Sequence, residues 1–114
     1  MKSKRIENIY KMAFGDKETI KSCLFSESKY ERMDALIWTT YHKIKENDVI
    51  ERVKELKKDD SVVSIYTVGN YAVASLANLN IEKYKGNDKN QKELIKYFVP
   101  TKERVTVILK NYSE

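Results

Sequence analysis

Apolar residues recur at helical spacing along most of the chain, and one stretch departs from that pattern. Ser61–Asn80 runs without a charged side chain in a protein that is 34% charged. Within it Ile65, Val68, Ala72 and Leu79 share one helical stripe, and Val62, Tyr66 and Val73 an adjoining one. A helix that is apolar on more than one stripe has to be covered from more than one side. The expectation is therefore a buried helix begun at Asp59, Asp60 or Ser61, with Gly69, Ala72, Ala74 and Ala77 small enough to admit neighbouring helices. The competing reading is a β-hairpin over 62–77, because Val62, Val63, Ile65, Tyr66, Thr67 and Val68 favour strands and Gly69-Asn70 suits a two-residue turn. A membrane span of this length conflicts with Ser61, Ser64, Thr67, Asn70, Ser75, Asn78 and Asn80, which put polar groups on every face.

The flanking segments read as amphipathic helices. Ile6, Ile9, Tyr10 and Ala13 line one face of 4–13, which Gly15 ends. Asp16 caps a short helix that turns Ile20, Cys23 and Leu24 inward. Ser28 and Glu31 have the spacing of a capping box and open a long helix over 28–44, with Tyr30, Met33, Ile37, Tyr41 and Ile44 as its buried stripe and Leu36 and Trp38 beside it. Asn47 or Asp48 caps a helix over 48–58 that buries Val49, Ile50, Val53 and Leu56. Residues 85–90 collect turn formers and charges, the pattern of a mobile or binding loop. Asn90 and Glu93 repeat the cap spacing ahead of Leu94, Ile95, Tyr97, Phe98 and Val99, and Pro100 stops that helix. Thr101 can cap a final one, although the alternation in 104–109 suits a strand equally well.

The order of these elements resembles the HEAT-like helical repeat family over about residues 28–99. The likeness lies in a long helix, a polar break and a shorter helix, followed by the junction Asp60-Ser61-Val62-Val63 and the small-residue run Ala72-Val73-Ala74-Ser75-Leu76. A shift of 35 residues sets Tyr30 on Ile65, Met33 on Val68, Ile37 on Ala72, Trp38 on Val73, Tyr41 on Leu76 and Ile44 on Leu79. Gly69 and Asn70 depart from the family, which prefers alanine there, and the second repeat is longer by the loop at 85–90. The expected fold is all-α, a short right-handed stack of antiparallel helix pairs forming one domain over 1–114. The alternative is α+β, with the hairpin 62–77 and a strand at 104–109.

Composition narrows the function classes more than it names a function. A chain of 114 residues fits one domain with a modest core, and three Gly and one Pro leave little for long linkers. The single cysteine, Cys23, has no internal disulfide partner, which fits a reducing, cytoplasmic home. The basic start of the chain is broken as a signal peptide by Glu7, Asn8 and Lys11. A net charge of +5, with the excess at the two ends, points to an acidic partner.

Catalytic chemistry finds no foothold. His42 is the only histidine, no second cysteine offers metal spacing, and no glycine-rich phosphate loop occurs. Cys23, His42 and Asp34 match no local nucleophile motif, and Asp34 with Glu31 or Glu27 is an ordinary pattern for a wet helix face. Trp38 reads as a packing residue. The expectation is a non-enzymatic module, without cofactor or metal, that binds another protein and possesses ends suited to self-association. In helix-pair stacks the exposed face of the second helices recognises partners, which here means Arg52, Glu55, Lys92 and Lys96. The alternative is nucleic-acid binding along the phosphate backbone by Lys83, Tyr84, Lys85, Lys89 and Lys96, where lysines and tyrosines interleave.

Overall fold

The computed structural model describes residues 3–113, with side chains through residue 111. Its elements in chain order are α1 (Lys4–Ala13), α2 (Lys17–Leu24), α3 (Lys29–Tyr41), α4 (Asn47–Leu56), β1 (Val62–Val63), β2 (Tyr66–Thr67), α5 (Val68–Asn78), α6 (Lys89–Tyr97) and α7 (Lys102–Ser113). The fold is all-α, with one very small antiparallel hairpin in which Val62 faces Thr67 and Val63 faces Tyr66.

Short-range signals set most of the helix starts. Ser3, Asp16, Ser28 and Asp88 each accept a first-turn amide of α1, α2, α3 and α6, and the Thr101 hydroxyl accepts from Arg104 N–H at the head of α7. Besides that of α5, two starts differ from expectation. α4 begins after Glu46 with no side-chain cap, and α6 begins at Lys89 because the Asp88 carboxylate, rather than Asn90, accepts from Gln91 N–H at 2.8 Å. The segment 104–109, open between helix and strand from its sequence, is helix, with Val105 buried and Ile108 and Leu109 packed against the core.

Three helices end in the same left-handed turn. Gly15, Lys43 and Asn80 adopt φ of 95°, 54° and 59° after α1, α3 and α5. At α5, Asn80 N–H donates to Ala77 O at 3.1 Å and Ile81 N–H to Leu76 O at 2.9 Å, the paired bonds that satisfy the last carbonyls of a helix. Ile44 and Ile81 follow the turns of α3 and α5 and fold back onto the core.

The charge-free stretch is neither the single helix nor the long hairpin expected of it. Residues 62–67 form the hairpin, turning at Ser64-Ile65 with Ser64 at φ 63°, and helix starts only at Val68. The reason lies in the capping of α5. Val68 N–H donates to Ser61 O at 2.9 Å and Gly69 N–H to Asp59 O at 2.7 Å, while Thr67 and Asn70 exchange side-chain and backbone bonds in a closed capping box. Gly69-Asn70 is thus a first helical turn. A Cβ at Gly69 would lie 2.5 Å from Lys57 O and 2.9 Å from Asp59 O, so only glycine lets the connector come this close.

α5 is the central element and contacts α3, α4 and α6, while α3 packs between α2 and α5, and α7 returns to α1. This sandwiching rotates the buried face of α3 from the expected stripe. Asp34, Ala35, Leu36, Trp38, Thr39 and Thr40 are buried, whereas Met33, Ile37 and Tyr41 are half-buried and Tyr30 is 44% exposed. Small and polar side chains let α3 approach α5 closely, and the Thr40 and Ser75 hydroxyls share a buried hydrogen bond of 2.6 Å. Trp38 packs edge-on against Tyr41, and Cys23 is a buried core residue.

The close approach at Gly69 sets a testable cost. Gly69→Ala should lower unfolding free energy by about 2 kcal/mol, because overpacking against backbone outweighs alanine's better helix propensity. Chemical denaturation measures this directly, and a stabilised variant would refute the tight contact.

Candidate functional site

The segment after α5 frames a concave surface. The left-handed turn at Asn80 diverts the chain away from the α5 axis, and residues 79–88 cross back to start α6. Two contacts fix that crossing. The Tyr84 hydroxyl accepts from Asp88 N–H at 3.2 Å, and Gly86 lies directly against the Tyr84 phenol, where any Cβ would collide. The loop expected to be mobile or to bind packs against its own tyrosine.

Between this crossing and α6 lies an open cavity of about 470 Å³. Ala77 and Ile95 supply its apolar surface, Tyr84 an aromatic wall, Asn80 an amide, and Lys83 and Lys92 two cations. Asn78 ties the helices that frame it, its amide nitrogen donating to Ala74 O at 3.0 Å and to Ile95 O at 2.8 Å. The buried Gln91 amide donates to Asn70 O at 2.8 Å and docks α6 on the start of α5.

The opposite flank of α6 carries a second recess of about 320 Å³, lined by Ile37, Tyr66, Tyr71, Leu94, Tyr97 and Phe98 together with Glu93. Tyr71 stacks edge-on with both Tyr66 and Phe98, at 5.9 and 6.2 Å between ring centres, and burial raises its phenol's pKa. Tyr97 is 70% exposed at the rim, and the neighbouring hairpin tip leaves Ile65 72% exposed. α6 therefore stands between a basic cavity and an aromatic groove.

The side chains singled out from the sequence separate into two groups. Arg52 is engaged in the fold: its Nε donates to Leu24 O at 3.0 Å, its guanidinium lies 4.5 Å from the centre of the Phe25 ring, and it pairs with Glu55 at 3.2 Å. Lys92 lines the cavity, and Lys96 on the same helix lies over the Tyr97 ring at 5.3 Å. Lys83 and Tyr84 join Lys92 at the cavity, with Lys85 beside Tyr84 in an adjoining depression and exposed Lys89 opening α6. Lys83, Lys85, Lys89, Lys92 and Lys96 make no ion pair among the described residues. Sequence reasoning missed Asn80 and the groove aromatics Tyr66 and Tyr71. The Asn78-Leu79-Asn80 run was a readable signal for the turn, whereas the groove arises from long-range packing.

The residues considered for catalysis are engaged in contacts of the fold, and two of them meet, the Cys23 thiol donating to Glu31 Oε2 at 3.8 Å. Cys23 is buried and its thiol is pushed up to about 12 by burial, with the Glu31 and Asp34 carboxylates adding to the shift, so it is a poor nucleophile. Hydrogen bonds from Ser26 and Asn8, both at 2.7 Å, hold the Glu31 carboxyl below the usual range. Asp34 is clamped by Arg5 at 2.8 and 3.0 Å, yet burial outweighs the guanidinium and raises its pKa. His42 donates from Nε2 to Met12 O at 2.7 Å, at the carboxyl end of α1. No group of three or more His, Cys, Asp or Glu suited to a metal ion occurs among the described residues, and none of their helices is long and apolar enough to cross a membrane.

Comparison with protein-family models, with curated proteins and with solved structures returns no match.

The carboxylate that positions α5 gives a pH prediction. Burial raises the Asp59 pKa, but hydrogen bonds from Ser61 and Arg32 prevail and hold it below the ordinary carboxylate range. Its stabilisation is full above the unfolded-state pKa and drains away as pH falls through the lower folded-state value. Asp59→Asn should therefore flatten the loss of stability between neutral pH and about pH 3, measured by urea unfolding at each pH. An unchanged slope would contradict the assignment.

Proposed function

We propose that the chain is a non-catalytic binding module for another protein, acting in the cytoplasm and using α6 and the crossing before it as its contact surface. The observation that supports this most is the setting of α6, which carries a basic cavity on one flank and an aromatic groove on the other. Exposed aromatic rims beside apolar recesses are the usual anchors of protein interfaces. Lysines without internal ion pairs add long-range attraction for an acidic surface.

The HEAT-like resemblance forms part of this proposal. Side-by-side packing of α3 and α5 supports it, as does the hydrogen bond between Thr40 and Ser75, which occupy equivalent positions under the 35-residue shift. A second reading, nucleic-acid binding, draws support from the convergence of Lys83, Tyr84 and Lys92 on one cavity.

Charge reversal tests the leading reading. With Lys92→Glu and Lys96→Glu combined, partners captured from native lysate by the unmodified chain should be lost while the helical circular dichroism signal is unchanged. Capture of the same polypeptides by the variant would contradict the proposal.

A further inference from the structure

Among the exposed features, the cavity between residues 79–88 and α6 combines charge, shape and fixed walls. The segment from Lys83 to Lys96 contains five lysines and two carboxylates in a chain whose net charge is +5. Some cations elsewhere are committed internally, Arg5 to Asp34, Arg32 to Asp59, Lys17 and Lys21 to Glu46, and Lys57 to Glu82, whereas the lysines of 83–96, like Lys4, Lys11, Lys29, Lys43, Lys45 and Lys58, make no ion pair among the described residues. The positive charge near the cavity is thus available to a ligand, and Lys83 and Lys92 themselves line the opening.

Resting on the α6 reading above, we infer that this cavity receives an acidic segment of the partner, with one aliphatic side chain inserted between flanking carboxylates. The inserted side chain meets Ala77 and Ile95, and its flanking carboxylates meet Lys83 and Lys92. The volume of about 470 Å³ accommodates a leucine side chain with adjoining backbone. Asn80 offers an amide to that backbone. The Tyr84 ring packs against Gly86 and its hydroxyl accepts from Asp88 N–H at 3.2 Å, so the wall is built from contacts within the protein.

An acidic peptide fits these walls better than a nucleic acid does. The apolar surface is aliphatic apart from one tyrosine ring, which leaves little platform for successive bases. Asp88 and Glu93 interrupt the lysines and oppose a continuous run of phosphates, whereas separate carboxylates can be placed between them.

Amide chemical shifts of the full chain, followed during titration to millimolar peptide, test the assignment. The probe is a short peptide with a central leucine flanked on each side by two acidic residues. Shifts should centre on Ala77, Asn80, Lys83 and Lys92. Replacing the acids by their amides, or the leucine by serine, should weaken binding about tenfold, and Lys83→Glu should weaken it about fivefold. Ala77→Leu should fill the cavity and abolish insertion, with circular dichroism checking its fold; Lys83→Glu decides the matter should that variant unfold. Equal binding of the amide peptide, no shifts at millimolar concentration, or tighter binding by a thymidine 12-mer would overturn the inference. If Lys92→Glu with Lys96→Glu abolishes native capture while Lys83→Glu and Ala77→Leu leave it intact, the cavity assignment fails and the α6 reading stands. Survival of capture in every variant overturns both.

Discussion

Two backbone carbonyls, those of Asp59 and Ser61, decide where the charge-free stretch becomes helix. They accept the Gly69 and Val68 amides that the first turn of α5 would otherwise leave unpaired. The connector is itself held by Arg32, whose guanidinium reaches Asp59 at 2.8 Å, Ser61 at 3.1 Å and Ser26 O at 2.8 Å. One half-buried side chain on α3 thus ties the end of α2, the connector and, through its carbonyls, the start of α5. Since α5 is the helix on which α3, α4 and α6 pack, the placement of all four follows from this junction.

The sequence made the local structure legible where one side chain acts on nearby backbone. Asp16, Ser28 and Thr101 start helices as their hydrogen-bonding groups imply, and Gly15 ends α1. Legibility failed where the deciding partner is distant in sequence. Gly69 was expected as a small residue inside a helix and lies in one, but its place in the first turn was not legible, because the carbonyls crowding its absent Cβ come from Lys57 and Asp59 in the connector. The buried face of α3 turned because two helices cover it, which makes Thr39 and Thr40 interior and leaves Tyr30 outside. At the candidate site, the interleaving of lysine and tyrosine was legible at Lys83, Tyr84 and Lys96, whereas Lys92 was singled out as an exposed residue of a second helix. Their division between a cavity and a rim was not, because it depends on the turn at Asn80 and on Tyr84 folding over Gly86.

The division of labour among cations links fold to function. Arg5, Arg32 and Arg52 each make directed contacts inside the protein, which suits a planar group with several fixed donors. The lysines of 83–96 instead stand on exposed backbone near two recesses. Their positions owe little to their charges, so the charge adds little to stability and is free to serve association under the proposed reading.

Hydrogen exchange on the native complex tests the central claim, that α6 and the crossing before it form the binding surface. Partner binding should slow exchange across residues 79–98 and leave α2 and α4 unchanged. Protection centred on α2 and α4, with 79–98 unaffected, would contradict the account.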